Sequence, residues 1–249
     1  MKISIPFVLA GALLLMAGTT CHAEGSMPVL VLNDTNEPPY TSPDGQGFLD
    51  IVAGEAFRRA GIQLRLVKLP AERGLINANA GIEDGDLVRI AGLEGLYPNL
   101  IRVPEKLIDW EFTAFSKNAV LPARWEGLPA RPISHIRGWK IYEKQLTDAP
   151  YVVSSDDSTQ MFRQLQLDRV EVVLYERWLG LSLLKRQHIQ GVYPLEPPLA
   201  KREMFIYLNK RHAALVPKLA EALRAIKAEG LYDRLYREKV LSITTTATK

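Results

Sequence analysis

The chain has 249 residues, 47 % of them apolar, with a formal net charge of +3 and a single cysteine. Lysines and arginines are interspersed with aspartates and glutamates, so there is no polybasic patch for nucleic acid, and one thiol cannot build a disulfide framework. The apolar share at this length supplies one large packed domain or two smaller ones.

The chain opens MKISIPFVLAGALLLMAGTTCHAEG. Lys2, an apolar run from Ile3 to about Ala17 and the small residues before Ala23 form the pattern of a secretory signal peptide (residues 1–23), with cleavage expected after Ala23. The run is short for a membrane span. An uncleaved anchor and a lipoprotein with Cys21 at its new N-terminus are the alternatives; Gly18, Thr19 and Thr20 lack the aliphatic residue that lipoprotein processing prefers. Cleavage removes Cys21 and Lys2 and leaves 249 − 23 = 226 residues. The expected product is a soluble, monomeric periplasmic protein.

VLVL from Val29 to Leu32 reads as a short buried strand, followed by the turn-rich loop NDTNEPPY. In GFLDIVAGEAFRRAG, the residues Leu49, Val52, Ala56, Phe57 and Ala60 make a helical stripe that Gly61 ends. IQLRLVKL alternates as a strand, and Pro70 suits the first position of a helix running to Gly81. IEDGDLVRIAG then sets Glu83, Asp84 and Asp86 just ahead of Arg89. It lacks the alternating spacing of a calcium loop. It reads as a tight turn in which Gly85 takes unusual backbone angles.

Residues 100–121 are strand-like, and LPARWEGLPARP is a connector. A second series begins with GWKIYE. The loop VVSSDDST leads into a helix from about Thr159 to Leu167. RVEVVLY is a strand, and a helix covers about Glu176 to Lys185. EMFIYL is again a strand, ahead of a long helix with Leu215, Leu219, Leu223 and Ile226 on one face. Strands alternating with helices in both halves imply parallel sheets with crossover helices.

His135, His188 and His212 are far apart in sequence and have no thiol to complete a zinc site, so no metal or cofactor is expected. No G-x-S-x-G elbow or phosphate-binding glycine loop exists. What remains is a set of polar and aromatic residues after predicted strands, where ligands of open αβ sheets bind. Asp34, Glu37 and Tyr40 follow the first strand. Arg73 begins a helix, and Arg89 follows the acidic turn. Ser154, Ser155, Ser158 and Thr159 surround a helix start whose free N–H groups favour an anion. Tyr175 and Glu176 end a strand. For each of these, solvation or helix capping is the competing reading.

The run EPPYTSPDGQGFLDIVAGEAFRRAG…VKLPAERGLINANAG resembles the first lobe of extracellular solute-binding proteins of family 3, the periplasmic amino-acid-binding type. Pro38, Pro39, Tyr40, Gly47, Phe48, Gly81 and Asp84 carry that resemblance. GWKI is similar to the strand opening the second lobe, LQLDRVEVVL to a later segment of it, and MFIYLNKRHAALVPKLAEALRAIKAEGLYDRLY to the return strand and C-terminal helix. The resemblance implies an α/β, two-lobed periplasmic-binding-protein-like fold (type II), each lobe a mixed sheet flanked by helices. Residues 24–110 would begin lobe 1, 111–200 form lobe 2 and 201–249 return to lobe 1, with extended crossings near 108–114 and 201–206.

It further implies capture of a small polar or zwitterionic, amino-acid-like solute in the interlobe cleft, without catalysis, for uptake through a membrane permease of the ABC type. The alternative is a sensor that signals to a membrane receptor; a repurposed lyase using Glu176, Asp86 and Arg89 is the third reading. The expected ligand-binding set is Asp34, Tyr40, Phe48, Arg73, Asp86, Arg89, Ser155, Ser158, Thr159 and Glu176. In it Tyr40 or Phe48 forms a stacking wall, and Arg89 rather than Arg73 takes the anionic group. On that reading Arg89→Met weakens binding and leaves stability nearly unchanged. The chain departs from the family at its arginine motif T-x-T-x-x-R, replaced by DGDLVRIAGLEG, and at the G-T or G-S/T loop of the second lobe, matched to YEKQLTD. Glu176 is the nearest match to the acidic residue that holds an α-amine.

Overall fold

Strand β1 (Val29–Asp34) begins the described part of the chain, which the computed structural model gives for Met1 and residues 27–128 and 130–245. The expected leader, with Cys21 and the cleavage point at Ala23, lies outside the described residues. Helix α1 (Phe48–Arg59) forms where the stripe was expected: Leu49, Val52, Ala56 and Phe57 are all buried. Strand β2 (Gln63–Lys68) and helix α2 (Ala71–Ala80) follow. Pro70 stands just before α2, and Gly81 ends it in the left-handed region at φ 77°. Strand β3 (Gly85–Ile90) completes the first unit, and β1 pairs parallel with both β2 and β3.

Gly85 does not turn the chain. It is the first residue of β3, and glycine is required because an added Cβ would lie 2.2 Å from the Tyr207 carbonyl oxygen. The positive φ expected of it belongs to Gly81, at the end of the preceding helix.

The chain continues through β4 (Leu100–Arg102), β5 (Ile108–Ser116), β6 (Ile133–Ile136), α3 (Lys140–Gln145), β7 (Val152–Ser155), α4 (Ser158–Gln166), β8 (Val172–Glu176) and α5 (Arg177–Arg186). It closes with β9 (Tyr193–Pro194), β10 (Ala200–Asn209), α6 (Val216–Ala228), α7 (Leu231–Tyr236), a helical stretch over Arg237–Leu241 and α8 (Ser242–Thr245). GWKIYE is therefore not the strand of the second half. ISHI, buried at all four positions, is that strand, and Gly138 at φ 82° turns the chain into α3. The error is one of position: the apolar signal of ISHI lies just before the glycine, and the charged positions of KIYEKQ suit a helix.

The strand order is β2-β1-β3-β10-β5-β8-β6-β7, with β4 on β10 and β9 on β5. Strands β5 and β10 run antiparallel from Phe112 opposite Ala200 to Ile108 opposite Met204. Beyond that ladder β10 pairs with β3, whereas β5 pairs with β8. These two strands thus join the halves of a two-lobed molecule. Helices α6 and α7 fold back onto the first half: α6 packs on α1, and Phe48 meets Tyr232 and Tyr236 of α7 edge-on at 5.0 and 5.4 Å. The last helix, α8, packs instead on α5 of the second half, against the expected return of the whole segment to the first.

Candidate functional site

The loops after β1, β2, β6, β7 and the end of β8 converge between the halves, as the carboxyl ends of parallel strands do. They line a half-open chamber of about 440 Å³, bounded from the first half by Asp34–Glu37 and Lys68–Ala71, and from the second by Ile136, Trp139, Asp156–Ser158 and Tyr175. Asp34 is fully buried and accepts hydrogen bonds from Asn36 N at 2.9 Å, Thr41 Oγ1 at 2.7 Å and the Lys68 ammonium. That ammonium also donates to the Asn36 carbonyl and to Thr41 Oγ1. Its three N–H groups are all engaged.

Glu37 ties the halves together. Its carboxylate accepts from Ser158 Oγ at 2.6 Å and from Arg186 Nη2 at 3.0 Å, both on the second half. Elsewhere the Lys140 ammonium reaches across to Glu72, which also accepts from the Tyr97 hydroxyl at 2.8 Å. Gly138 comes so close to α2 that a Cβ there would lie 2.6 Å from Glu72 N.

Trp139 and Thr35 also line a second, much smaller chamber of about 30 Å³, together with Arg89, Trp110 and Phe112. Arg89 is 5 % exposed; its Nη2 donates to Asp86 Oδ2 at 2.7 Å and to the Ala71 carbonyl at 2.8 Å. Asp86 also accepts from Asn33 Nδ2 at 2.9 Å. Burial pushes the Asp86 carboxyl above its usual range, against the pull of Arg89. Residues three apart in a regular strand point to opposite faces. Here the pairing of β3 with β10 shifts register between Phe205 and Tyr207, which lie opposite Arg89 and Asp86, so the pair can meet. Arg89 Nε and Trp110 Nε1 are buried without a partner.

An aromatic column separates the chambers. Tyr175 stacks on Trp139 with centroids 5.0 Å apart, Trp139 lies 4.9 Å from Trp110, and Trp110 stacks on Tyr40 at 6.3 Å.

Of the residues expected at the site, Asp34 and Ser158 line the large chamber, and Arg89 lines the small one with Asp86 as its ion-pair partner. Others are corrected by their surroundings. Tyr40 and Phe48 are fully buried and do not wall the cleft: Tyr40 lies behind Trp110, and Phe48 lies under α7. Arg73 is exposed on α2 and lines neither chamber. Ser155 is buried against Ser134 and Gln164, while Thr159 is exposed and accepts from Gln187 at 2.8 Å. The N-cap of α4 is Asp157, which accepts from Gln160 N at 2.7 Å.

Glu176 is fully buried and lines neither chamber. It caps α5 by accepting from Trp178 N and Leu179 N, both at 2.8 Å. Burial without a cationic partner raises its carboxyl to about 8. The Tyr40 hydroxyl stands beside it, yet neither that hydroxyl nor Glu176 Oε1 has an aligned hydrogen bond. YEKQLTD lies in α3 and the turn after it and lines no part of the large chamber, which Trp139 at the start of α3 does reach.

The acidic turn is a brace. Asp84 accepts from Val31 N at 2.7 Å and pairs with Arg211 and His212. His135 is a buried strand residue bonded to Ser154. Among the described residues no group of three or more His, Cys, Asp or Glu is placed to hold a metal ion, and no helix is long and apolar enough to cross a membrane. Lys68, Trp110 and Trp139 were missed from sequence. A glycine before an aromatic residue, between strand and helix, was the available signal for Trp139.

No protein-family model matches the chain. A protein of Shewanella oneidensis described as uncharacterized is 27 % identical over 197 residues, 74 % of this chain and 73 % of that one. Among solved structures, a histidine kinase sensor domain with similarity to periplasmic binding proteins matches with a TM-score of 0.75 at 15 % identity, over 85 % of this chain and 95 % of its own. An ancestral arginine-binding protein bound to arginine gives 0.73 at 16 % identity, over 86 % and 99 %. The GluR0 ligand-binding core from Nostoc punctiforme in complex with L-glutamate gives 0.71 at 14 % identity, over 85 % and 98 %. At such identities the likeness concerns the fold, and the fold is the two-lobed, periplasmic-binding-protein-like α/β architecture that the sequence resemblance implied.

Proposed function

We propose that the protein captures a small polar solute between its two lobes and delivers it to a membrane partner. The observation that carries this reading is the chamber of about 440 Å³ lined by strand-end loops of both halves and bridged by Glu37 to Ser158 and Arg186. Such contacts form only when the halves approach. Residues 27–110 and 201–241 make one lobe and 111–200 the other, with β5 and β10 as the hinge and α8 reaching across to α5. Closure about that hinge excludes water from the solute and strengthens its polar contacts.

The N-terminal segment serves export to the periplasm, with removal near Ala23, and uptake through a permease is the leading use of the captured solute. The likeness to a histidine kinase sensor domain favours a second use, signalling to a membrane receptor. No catalytic step belongs to the proposal. Glu176, the carboxyl with a proton affinity suited to acid–base chemistry, faces neither chamber.

The test is isothermal titration of ligand-free protein with amino acids, polyamines, organic acids and short peptides, with small-angle X-ray scattering on any hit. Binding accompanied by a smaller radius of gyration supports the reading. An absence of heat across the whole panel overturns it.

A further inference from the structure

Resting on the solute-binding reading, we propose that Trp139 withholds Arg89 from the solute, and that the solute is a small organic cation recognised without a carboxylate clamp. Three features of the chamber of about 440 Å³ point there.

The first is the supply of donors. An anion needs free N–H or O–H groups, and the chamber's cation has none to give. Lys68 spends its three N–H groups on Asp34, the Asn36 carbonyl and Thr41. The Ser158 hydroxyl is donated to Glu37. Arg137 and Arg186, which pair with Asp156 and Glu37, do not line the chamber.

The second is the supply of acceptors. Three carboxylates that are not fully buried, Glu37, Asp156 and Asp157, line the same space, while the Asp34 carboxylate is fully covered by its own donors.

The third is the partition. Trp139 is held between Tyr175 and Trp110 and lines both chambers, so its indole stands between the acceptor-rich space and Arg89. Arg89 lines only the chamber of about 30 Å³, room for about one water molecule. There it is already paired with Asp86. A ligand carboxylate in the large chamber thus finds neither Lys68 nor Arg89 free.

The experiment compares cations with and without a carboxylate by isothermal titration: agmatine against arginine, putrescine against ornithine, and succinate as the anion. Agmatine or putrescine is expected to bind, each amino acid to bind no more than about threefold tighter than its decarboxylated counterpart, and succinate not to bind. Glu37→Gln should weaken the amine by about tenfold or more. Trp139→Ala, which joins the chambers, should favour arginine over agmatine by about tenfold relative to the parent, and Trp139→Phe, which keeps a ring in place, should not.

An amino acid that binds the parent about tenfold tighter than its amine, or binding of succinate, overturns the proposal and leaves the solute-binding reading standing. Silence of every probe together with silence of the broad solute panel overturns both. Should Trp139→Ala fail to fold, the comparison on the parent and on Glu37→Gln still decides.

Discussion

Asp86 and Glu176 are carboxylic acids of equal burial, one in each half of the molecule, and they are held in opposite ways. Asp86, 1 % exposed, is answered by the Arg89 guanidinium and the Asn33 amide. Glu176, 0 % exposed, has no cation beside it and is answered chiefly by backbone N–H groups at the start of α5. Burial raises both, and without a cation Glu176 reaches about 8. A helix N-terminus is a weaker counter-charge than a guanidinium, so the second half keeps a proton where the first keeps an ion pair.

Four measurements would break or sharpen that contrast. The largest effect should come from Arg89→Met, which leaves Asp86 buried without its cation. The expected loss is about 3–5 kcal/mol in chemical denaturation, in place of the unchanged stability that the sequence reading implied. Asp86→Asn with Arg89→Met should recover more than half of it. A loss no larger than that of a surface substitution would mean that the pair is not structural.

Next is the pH dependence of Glu176. Its folded value of about 8 lies above the 4.5 of a free glutamate. Its contribution to stability is therefore complete below the unfolded value and is lost as pH rises through the folded one. Between about pH 5.5 and 7.5 this single group should remove on the order of 3 kcal/mol. Glu176→Gln should flatten that slope in urea titrations at several pH values. Equal slopes in parent and variant would remove Glu176 from the contrast.

Asp34 offers the intermediate case, a fully buried carboxylate whose cation, the side chain of Lys68, is 58 % exposed. Lys68→Met should cost about 1 kcal/mol, because water replaces part of what the ammonium provides. A cost equal to that of Arg89→Met would show that exposure of the cation does not matter here. The smallest effect belongs to Arg73→Ala. This exposed residue lines neither chamber, so stability should stay within about 0.5 kcal/mol and affinity for any solute found should be unchanged.

Much of the fold was legible because it rests on short-range pattern. The stripe of Leu49, Val52, Ala56 and Phe57 identifies α1, and Pro70 with Gly81 brackets α2. The second half was harder: ISHI is a short strand beside a connector, and its neighbour GWKIYE has enough apolar residues to compete. At the site, Asp34, Ser158 and Arg89 were legible as polar residues after strands or at a helix start. Tyr40 and Phe48 were misplaced because an aromatic residue near a strand end looks the same whether it walls a cleft or fills a core.

The sequence by itself determined most of the strands and helices of the first half and the α/β class of the whole, since periodicity and the backbone limits of glycine and proline act over a few residues. Only the tertiary structure decided which charges meet. Asn33 reaches Asp86, Glu37 reaches Ser158, and Trp139 fills the gap between Trp110 and Tyr175, each across a long stretch of chain. Whether Arg89 serves a solute or Asp86 depends on a register shift against β10 and on an indole contributed by the other half. Both are set by packing between distant segments, and local pattern carries no information about that distance.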